Sequence, residues 1–286
     1  MAKVSELLAA GRTYSFEFFP PRDPTEHARL VETLLELQPL RPSFVSVTYR
    51  GGPSSRDPTH ELVVGMLRTT SLTPMAHLIC AGHTRLELAD ILVQLRKAGV
   101  QNLMALGGDT PTDPGAPDGE LAHAVELVEL ARAIGGFSIG VAAHPAGHPR
   151  SVDLRSDRDH LAAKMRLADF AITQFFWRVE EYLSLVDDLR RRGVTAPVIP
   201  GIMPLTTLAA VPRRAQMGAP VPADVVAQLE AAGDPASVRA AGIEMSTKLC
   251  QGLLDAGAPG LHFYTLNRSP ATREIYTNLG LGPSAR

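Results

Sequence analysis

Glu17 has the clearest chemical potential in this sequence, because its carboxyl group lies between Phe16 and Phe18 and is followed by Phe19. Apolar neighbours raise the pKa of a carboxyl group by removing it from water, and a glutamic acid with a raised pKa donates a proton near neutral pH. This pattern predicts a general acid. A carboxylate that caps a neighbouring loop or pairs with Arg22 is the structural alternative.

Polar residues follow several other apolar segments in the same way. They are Thr48, His77, Asp109, His144 and Gln174, together with a last loop that contains Leu266, Asn267 and Arg268. In a barrel of parallel strands the carboxyl ends of the strands surround one mouth, where their side chains converge. We therefore expect these residues to form one site. Asp109 also fits an ordinary Gly-Gly-Asp turn.

Histidine and cysteine spacing gives little support for a metal site. His77 should belong to a strand, whereas Cys80 and His83 should lie in the loop after it, and no fourth ligand has a matching spacing. We interpret His144 and His148 as loop residues rather than a metal pair. The sequence contains no GxSxG motif, so hydrolysis through an acyl-enzyme is not expected.

The apolar segments that would position these residues are short and recur along the whole chain. Eight of them span residues 13–18, 44–48, 74–79, 102–106, 137–142, 170–174, 197–201 and 260–264. Eight strands separated by helices close as a barrel, so we predict an α/β fold, a single (βα)8 TIM barrel domain over residues 1–286. An open doubly wound sheet is the alternative, but the first strand is followed by EFFPPRDP rather than GxGxxG.

Helical signals fill the intervals between these segments. Thr84 and Glu87 have capping-box spacing, and Gly99 stands where a helix would end. The apolar face of this helix consists of Leu88, Ile91, Leu92 and Leu95. A second helix is predicted before Gly193, with an apolar face formed by Val179, Tyr182, Leu183, Val186 and Leu189. A long helix is predicted over 235–255.

Composition excludes several classes of protein. The chain has 286 residues, of which 45% are hydrophobic and 20% charged, so it can bury a large core. Its net charge of −2 comes without a basic stripe, which disfavours nucleic-acid binding. We find no apolar run of membrane-spanning length and no signal peptide, and the two cysteines are far apart in sequence. These features predict a cytoplasmic protein that does not bind membranes.

Eight motifs together resemble one known family. They read YSFEFFPPRDP, FVSVTYRGG, AHLICAGHT, NLMALGGDTP, VAAHPAGHPRS, FAITQFFW, IPGIMPLT and GLHFYTLNRSPAT. Their order over roughly residues 4–281 is that of the methylenetetrahydrofolate reductases of bacterial type. The resemblance implies a barrel that binds FAD, takes hydride from NADH or NADPH, and reduces 5,10-methylenetetrahydrofolate to 5-methyltetrahydrofolate. It also implies a homo-oligomer, and no regulatory domain is expected after residue 286.

The resemblance assigns a role to each matching position. Glu17 matches the general acid that protonates the folate N10, and Asp109 matches an aspartate beside the flavin and the folate. Gln174, Leu266 and Arg268 match substrate contacts. The positions that match flavin contacts are Thr48, Tyr49, His77, Gly107, Gly108, Asp109, Ala142, His144, Asp157, His160 and Lys164.

Four positions around the implied cofactor pocket depart from the family pattern. Gly107 replaces an arginine that contacts the flavin, His144 replaces a tyrosine, and Arg50 stands in a glycine-rich motif. Arg214 replaces an aromatic residue that covers the nicotinamide and the folate. One hypothesis is that Arg50 compensates for Gly107 by reaching the same phosphate.

These departures leave alternatives open. One is a family member that transfers hydride without flavin or reduces a different iminium-like substrate. Another is a catalytically silent barrel that binds folate or nucleotide. The presence of Glu17, Asp109 and Gln174 counts against a silent barrel, since such a protein needs no acid in an apolar setting.

Overall fold

The computed structural model describes residues 2–49, 56–109 and 119–281, and its strands form one parallel sheet. The strands are β1 Thr13–Phe18, β2 Phe44–Val47, β3 Pro74–Ile79, β4 Asn102–Leu106, β5 Ser138–Ala143, β6 Phe170–Thr173, β7 Val198–Ile199, β8 Gly201–Ile202 and β9 Gly260–Tyr264. All eight predicted strand segments are confirmed. The order β7-β6-β5-β4-β3-β2-β1-β9-β8 makes a nearly closed barrel.

Pro200 divides the seventh predicted strand into β7 and β8. A proline has no backbone N–H group to donate to a neighbouring strand. β7 pairs with β6 and β8 pairs with β9, so this one segment brings the two ends of the sheet together. The N–H group of Gly201, the residue after Pro200, donates to the side chain of Thr173 in β6, with 2.9 Å between Gly201 N and Thr173 Oγ1.

Helices surround the sheet. They are α1 Val4–Ala10, α2 Pro24–Leu37, α3 Arg56–Thr69, α4 Arg85–Lys97, α5 Ala124–Ile134, α6 Leu154–Met165, α7 Val179–Arg191, α8 Val211–Gln216, α9 Ala223–Ala231, α10 Pro235–Asp255 and α11 Pro270–Asn278, with short 3-10 turns at Gln38–Leu40 and Leu208–Ala210. None of the helices in the described ranges is long and apolar enough to span a membrane.

The predicted helix signals are largely confirmed. Thr84 accepts the Glu87 N–H group at the start of α4, and the predicted apolar face of α4 is buried. The long helix begins after Asp234, which accepts two backbone N–H groups. In α7 one prediction is wrong, because Leu183 is exposed and Leu185 is buried in its place.

The first helix fills the amino-terminal end of the barrel. Val4 is fully buried and belongs to a cluster with Phe44, Met75, Met104, Phe170, Ile172 and Ile199. The Val4 N–H group donates to Asn102 Oδ1 at 2.8 Å, and the Ser5 N–H group donates to Ser138 Oγ at 3.0 Å. Since this end is apolar and filled, polar chemistry inside the barrel is confined to the opposite mouth.

Helix α10 approaches the chain that leaves β8 without a side chain between them. A Cβ atom on Gly242 would overlap the carbonyl oxygen of Leu205, whereas nothing lies within 4 Å of a Cβ atom on Gly65 in α3. Glycine at 242 therefore allows α10 to pack against the segment that leads to the mouth.

We predict opposite effects of alanine at these two helical glycines. Gly65→Ala should raise the free energy of unfolding by about 0.5–1 kcal/mol, because alanine is the better helix former and meets nothing. Gly242→Ala should lower it by about 1–3 kcal/mol, because the backbone at Leu205 must move. Urea denaturation measures both, and equal effects of the two substitutions would contradict the close packing of α10.

Candidate active site

Glu17 lies inside the barrel, while its aromatic neighbours in β1 lie outside it. Side chains alternate between the two faces of a strand. Phe16 packs against Tyr276 of α11, with ring centroids 5.4 Å apart, and both Phe16 and Phe18 are fully buried in the layer between sheet and helices. The predicted cause of a raised pKa is therefore wrong, because these rings face away from the carboxyl group.

Polar side chains from neighbouring strands surround the Glu17 carboxylate. Ser46 Oγ donates to Oε2 at 3.4 Å, and the Nε2 atoms of His77 and His262 each lie 3.5 Å from the same oxygen. His262 Nδ1 lies 2.8 Å from Ser15 Oγ. Strand register explains the arrangement, since Glu17 pairs with Ser46 of β2 and Ser15 pairs with His262 of β9. Glu17, His77 and His262 are all buried.

Opposing effects act on the pKa of Glu17. Burial alone raises it, but the hydrogen bond with His262 and the positive charges that His77 and His262 can carry together hold it below the usual range of a glutamate, so the predicted rise in pKa is wrong. Burial also lowers the pKa of His77. The cluster thus joins one carboxylate to two imidazoles at close range, an arrangement that can store and pass a proton.

The loop after β9 is tied to the end of β1. Thr265 Oγ1 donates to the Glu17 carbonyl at 2.6 Å, while Asn267 accepts from the Phe19 N–H group at 2.8 Å and donates to the Phe19 carbonyl at 3.0 Å. Leu266 and Asn267 have φ values of 52° and 55°. Asn267, predicted as a site residue, therefore holds two strand ends together, and its side chain has protein partners.

Other residues of this loop lie at the mouth. Leu266 is partly buried against the apolar cluster formed by Phe175, Met203 and Ala219. Arg268 is exposed, and its backbone N–H group donates to Thr265.

A buried arginine that the sequence reasoning did not single out shapes the loop after β5. Arg158 donates to the carbonyls of His144 at 2.9 Å and Pro145 at 2.6 Å, and it pairs with Asp157 Oδ2 at 2.9 Å. Asp157 also accepts the His148 N–H group at 2.9 Å. These bonds fix the loop that follows Ala142.

Lys164 lies beneath this loop and donates to the Ala142 carbonyl at 2.9 Å. Burial lowers the pKa of Lys164 to about 8. Burial, and then the charges of His148 and Lys164, lower the pKa of His144 to about 4. His160, in contrast, is exposed on α6.

A different arginine from the one proposed lies beside Gly107. Arg150 Nη2 donates to the Gly108 carbonyl at 3.3 Å and lies 3.8 Å from where a Cβ atom on Gly107 would be. Asp109 follows at the exposed end of this turn. Arg50 lies outside the described residues, so its compensating role stays a prediction.

Residues after β2 and β3 complete this side of the mouth. Tyr49 Oη lies 2.8 Å from His83 Nε2, so the tyrosine predicted to contact the flavin has a protein partner. Thr48 Oγ1 is buried and has no hydrogen-bond partner among the residues that the structure describes. Cys80 is buried, and burial raises the pKa of its thiol to about 12.

Gln174 lines a cavity of about 280 Å³ at the other side of the mouth. Its Nε2 atom donates to the Met217 carbonyl at 3.1 Å, and its Oε1 atom accepts from the Phe175 N–H group. The cavity is lined by residues of the loops after β5 and β6, by Arg178 and Glu181 at the start of α7, and by residues 218–220 and Pro222.

Sequence reasoning missed Ser46 and His262, which contact Glu17, and Ser15, which contacts His262. A signal was available, because each is a polar residue inside an otherwise apolar strand segment. Ser15 and Glu17 are two residues apart, the spacing that places both on one face. Arg158 could be found only from its contacts, since it lies in a helix of ordinary amphipathic composition.

The family model described as methylenetetrahydrofolate reductase matches residues 3–280. The 5,10-methylenetetrahydrofolate reductase of Escherichia coli strain K12 is 35% identical over 272 residues, which are 94% of this chain and 91% of that protein. The enzyme of the same name from Pectobacterium carotovorum is 34% identical, with 94% and 90% covered.

A plant protein and a solved structure are also similar to this chain. The protein named methylenetetrahydrofolate reductase (NADH) 1 of Arabidopsis thaliana is 33% identical over 98% of this chain and 50% of its own length. A solved structure of an uncharacterized protein from Clostridium thermocellum, which binds two copies of 5-methyl-5,6,7,8-tetrahydrofolic acid, is 12% identical with a TM-score of 0.66 and covers 96% of both chains. That likeness shows the fold alone. The matches in sequence show that this chain belongs to the methylenetetrahydrofolate reductase family.

Proposed function

We propose that this chain reduces 5,10-methylenetetrahydrofolate to 5-methyltetrahydrofolate with hydride from NADH or NADPH. The observation that carries the proposal is the buried contact of Glu17 with His77 and His262, at the strand end where the family resemblance places the general acid. The names of the relatives support the same substrate.

The proton step follows from the chemistry of the substrate. Glu17 donates a proton to N10, the bond from N10 to the methylene carbon breaks with its electron pair going to N10, and the methylene carbon remains as an iminium on N5. Hydride then adds to this carbon and makes the methyl group, while the nicotinamide donor is oxidised. The Glu17 carboxylate regains its proton from the imidazoles beside it.

The remaining polar groups hold the folate. Gln174 is fixed by the Met217 carbonyl, so its amide has one orientation before the substrate arrives. Asp109, Leu266 and Arg268 are the other proposed substrate contacts. Asp109 and Arg268 are exposed and need no rearrangement of the core to reach a ligand.

The residues at the mouth fit FAD in several respects. The buried Thr48 hydroxyl has no partner in the described ranges, Lys164 and Arg150 supply cations, and Gly108 has a φ of 82° and packs closely on Ala81. The proposed contacts are Thr48, Tyr49, His77, Gly107, Gly108, Asp109, Ala142, His144, Asp157, His160 and Lys164. When bound, FAD supplies the chemistry that relays hydride between the dinucleotide and the folate.

Direct hydride transfer without flavin is the second candidate. By resemblance, the arginine side chain that contacts the flavin is replaced at Gly107 and a tyrosine is replaced at His144. Asp157 and Lys164 are hydrogen-bonded to the backbone of His148 and Ala142. Under this alternative Glu17 keeps its role, because the substrate needs the same proton. Cytoplasmic location, homo-oligomeric assembly and a single domain over the whole chain stay predictions.

Loss of the acid should abolish most of the activity. We expect Glu17→Gln to lower kcat by about 10²- to 10⁴-fold, because an amide cannot protonate N10. The measurement is oxidation of NADH or NADPH that depends on methylenetetrahydrofolate, with unfolding curves to show that the variant folds. Glu244→Gln, at an exposed position on α10, is the matched control. Unchanged turnover of Glu17→Gln would show that another group supplies the proton.

Flavin binding should depend on the charge of Lys164. Since its pKa is about 8, the Kd for FAD should rise as the pH passes through 8, where the lysine loses the charge that attracts phosphate. Lys164→Met should weaken FAD binding by about tenfold to a hundredfold at pH 7 and remove this pH dependence. Flavin absorbance during titration measures both, with the exposed Lys97→Met as control. A protein that binds no FAD would contradict the flavin proposal and favour direct transfer.

A further inference from the structure

Arg214 is a buried cation at the mouth of the barrel. It lies in α8, only 4% of its surface is exposed, and its Nε atom is buried without a hydrogen-bond partner among the described residues. Nη1 makes a weak polar contact with Met217 Sδ, which lies 3.9 Å away. Among the residues that the structure describes, no carboxylate forms an ion pair with Arg214.

Such a group is costly to bury. An unpaired charge inside a protein loses its hydration, and a thioether is a poor acceptor that offsets little of this loss. Arginine cannot escape the cost by releasing its proton at neutral pH. A guanidinium that has no anionic partner within the described part of the chain is suited to an anion that a ligand supplies.

The position of Arg214 connects it to the proposed active site. Its guanidinium carbon lies 5.6 Å from the centre of the Phe175 ring, and Phe175 lies 6.3 Å from the Tyr264 ring. Tyr264 in turn lies 5.2 Å from the ring of His262, the partner of Glu17. Phe175 also lines the 280 Å³ cavity beside Gln174. Arg214 therefore packs against Phe175, a ring that lines the cavity and is connected through Tyr264 to His262 and Glu17.

We propose that Arg214 binds an anionic oxygen group, a carboxylate or a phosphate, of a ligand held at the barrel mouth. This inference rests on the proposed function, which brings two such groups to the mouth: the glutamyl carboxylates of the folate and the phosphates of the dinucleotide. A guanidinium binds either anion through two parallel N–H bonds. Its flat face on Phe175 keeps it in place for this contact.

The family resemblance implies an aromatic residue at this position in other members, so Arg214 would give this chain a different specificity. An aromatic ring favours a ligand by stacking on its flat surface, whereas a guanidinium discriminates by charge. Affinity at this position should fall with ionic strength and should depend on the anionic part of the ligand.

The test uses Trp177, the only tryptophan in the chain, as its reporter. Trp177 lines the cavity and its ring lies 5.9 Å from that of Phe175, so ligand binding should change its fluorescence. The probes are NAD⁺, 5-methyltetrahydrofolate, and 5-methyltetrahydropterin, which lacks the glutamyl carboxylates. The variants are Arg214→Met, Arg214→Lys and, as a matched control on the same helix, the exposed Arg213→Met.

We expect Arg214→Met to raise the Kd of one anionic probe by about tenfold to a hundredfold, with a partial effect of Arg214→Lys and less than a twofold effect of Arg213→Met. Weaker binding of NAD⁺ alone assigns the phosphate. Weaker binding of the folate, with the pterin unaffected, assigns the carboxylate. Unchanged affinity for both anionic probes overturns the proposal.

Two further readouts separate this inference from a structural role and from the proposed function. Removing an unpaired buried charge should leave Tm unchanged or raise it, so a large loss of Tm in Arg214→Met would indicate a structural residue and overturn the proposal. If the wild type binds neither folate nor dinucleotide, the proposed function fails. The anion site is then decided by inorganic pyrophosphate: a rise in Tm that Arg214→Met loses supports it, and an equal rise in both proteins overturns it.

Discussion

The carboxylate of Glu17 lies inside the barrel within 3.5 Å of two imidazole rings, and much of the surrounding structure makes this contact possible. Val4 and its apolar neighbours fill the opposite end of the barrel. Pairing of β1 with β2 and β9 sets the register that brings Ser46 and His262 beside the carboxylate. The loop after β9 then holds the end of β1 through Thr265 and Asn267.

In the proposed reaction, the cluster of Glu17, His77 and His262 has to suit both the free protein and the complex with folate. Without substrate, the imidazoles hold the pKa of Glu17 low, so the carboxylate form is favoured. A general acid must carry its proton when the folate is bound. A pterin ring at the mouth removes water from the carboxylate and brings no compensating cation, which raises its pKa. Burial also lowers the pKa of His77, which favours the neutral form of this imidazole and weakens its part in keeping the Glu17 carboxylate charged.

Short apolar segments bounded by turns predicted all eight strand positions, because a parallel barrel buries both faces of each strand. Residue propensities allow a break at a proline in the seventh segment, but they do not show that Pro200 separates β7 from β8. Glu17 was placed at the correct strand end for a partly wrong reason, since its sequence neighbours Phe16 and Phe18 lie on the other face. The partners Ser46 and His262 depend on register between distant segments, and no spacing within one segment encodes register.

Different positively charged residues lie on two sides of the mouth. On the side of β4 and β5, Arg150 and Lys164 bring positive charge close to the backbone turns at Gly108 and Ala142. On the side of β6, Arg214 lies unpaired beside Phe175 and the cavity lined by Gln174. Both features suit anionic ligands, and the acid lies inside the barrel between them. In the proposed mechanism, Glu17 carries the proton when the folate is bound.

Infrared difference spectroscopy tests this claim directly. The spectrum of the complex with 5,10-methylenetetrahydrofolate, recorded without a hydride donor, is compared with that of the free protein. A protonated carboxyl band that appears on binding in the wild type and is absent from Glu17→Gln is the predicted result. A complex in which Glu17 stays a carboxylate, with no such band, would contradict its role as the acid.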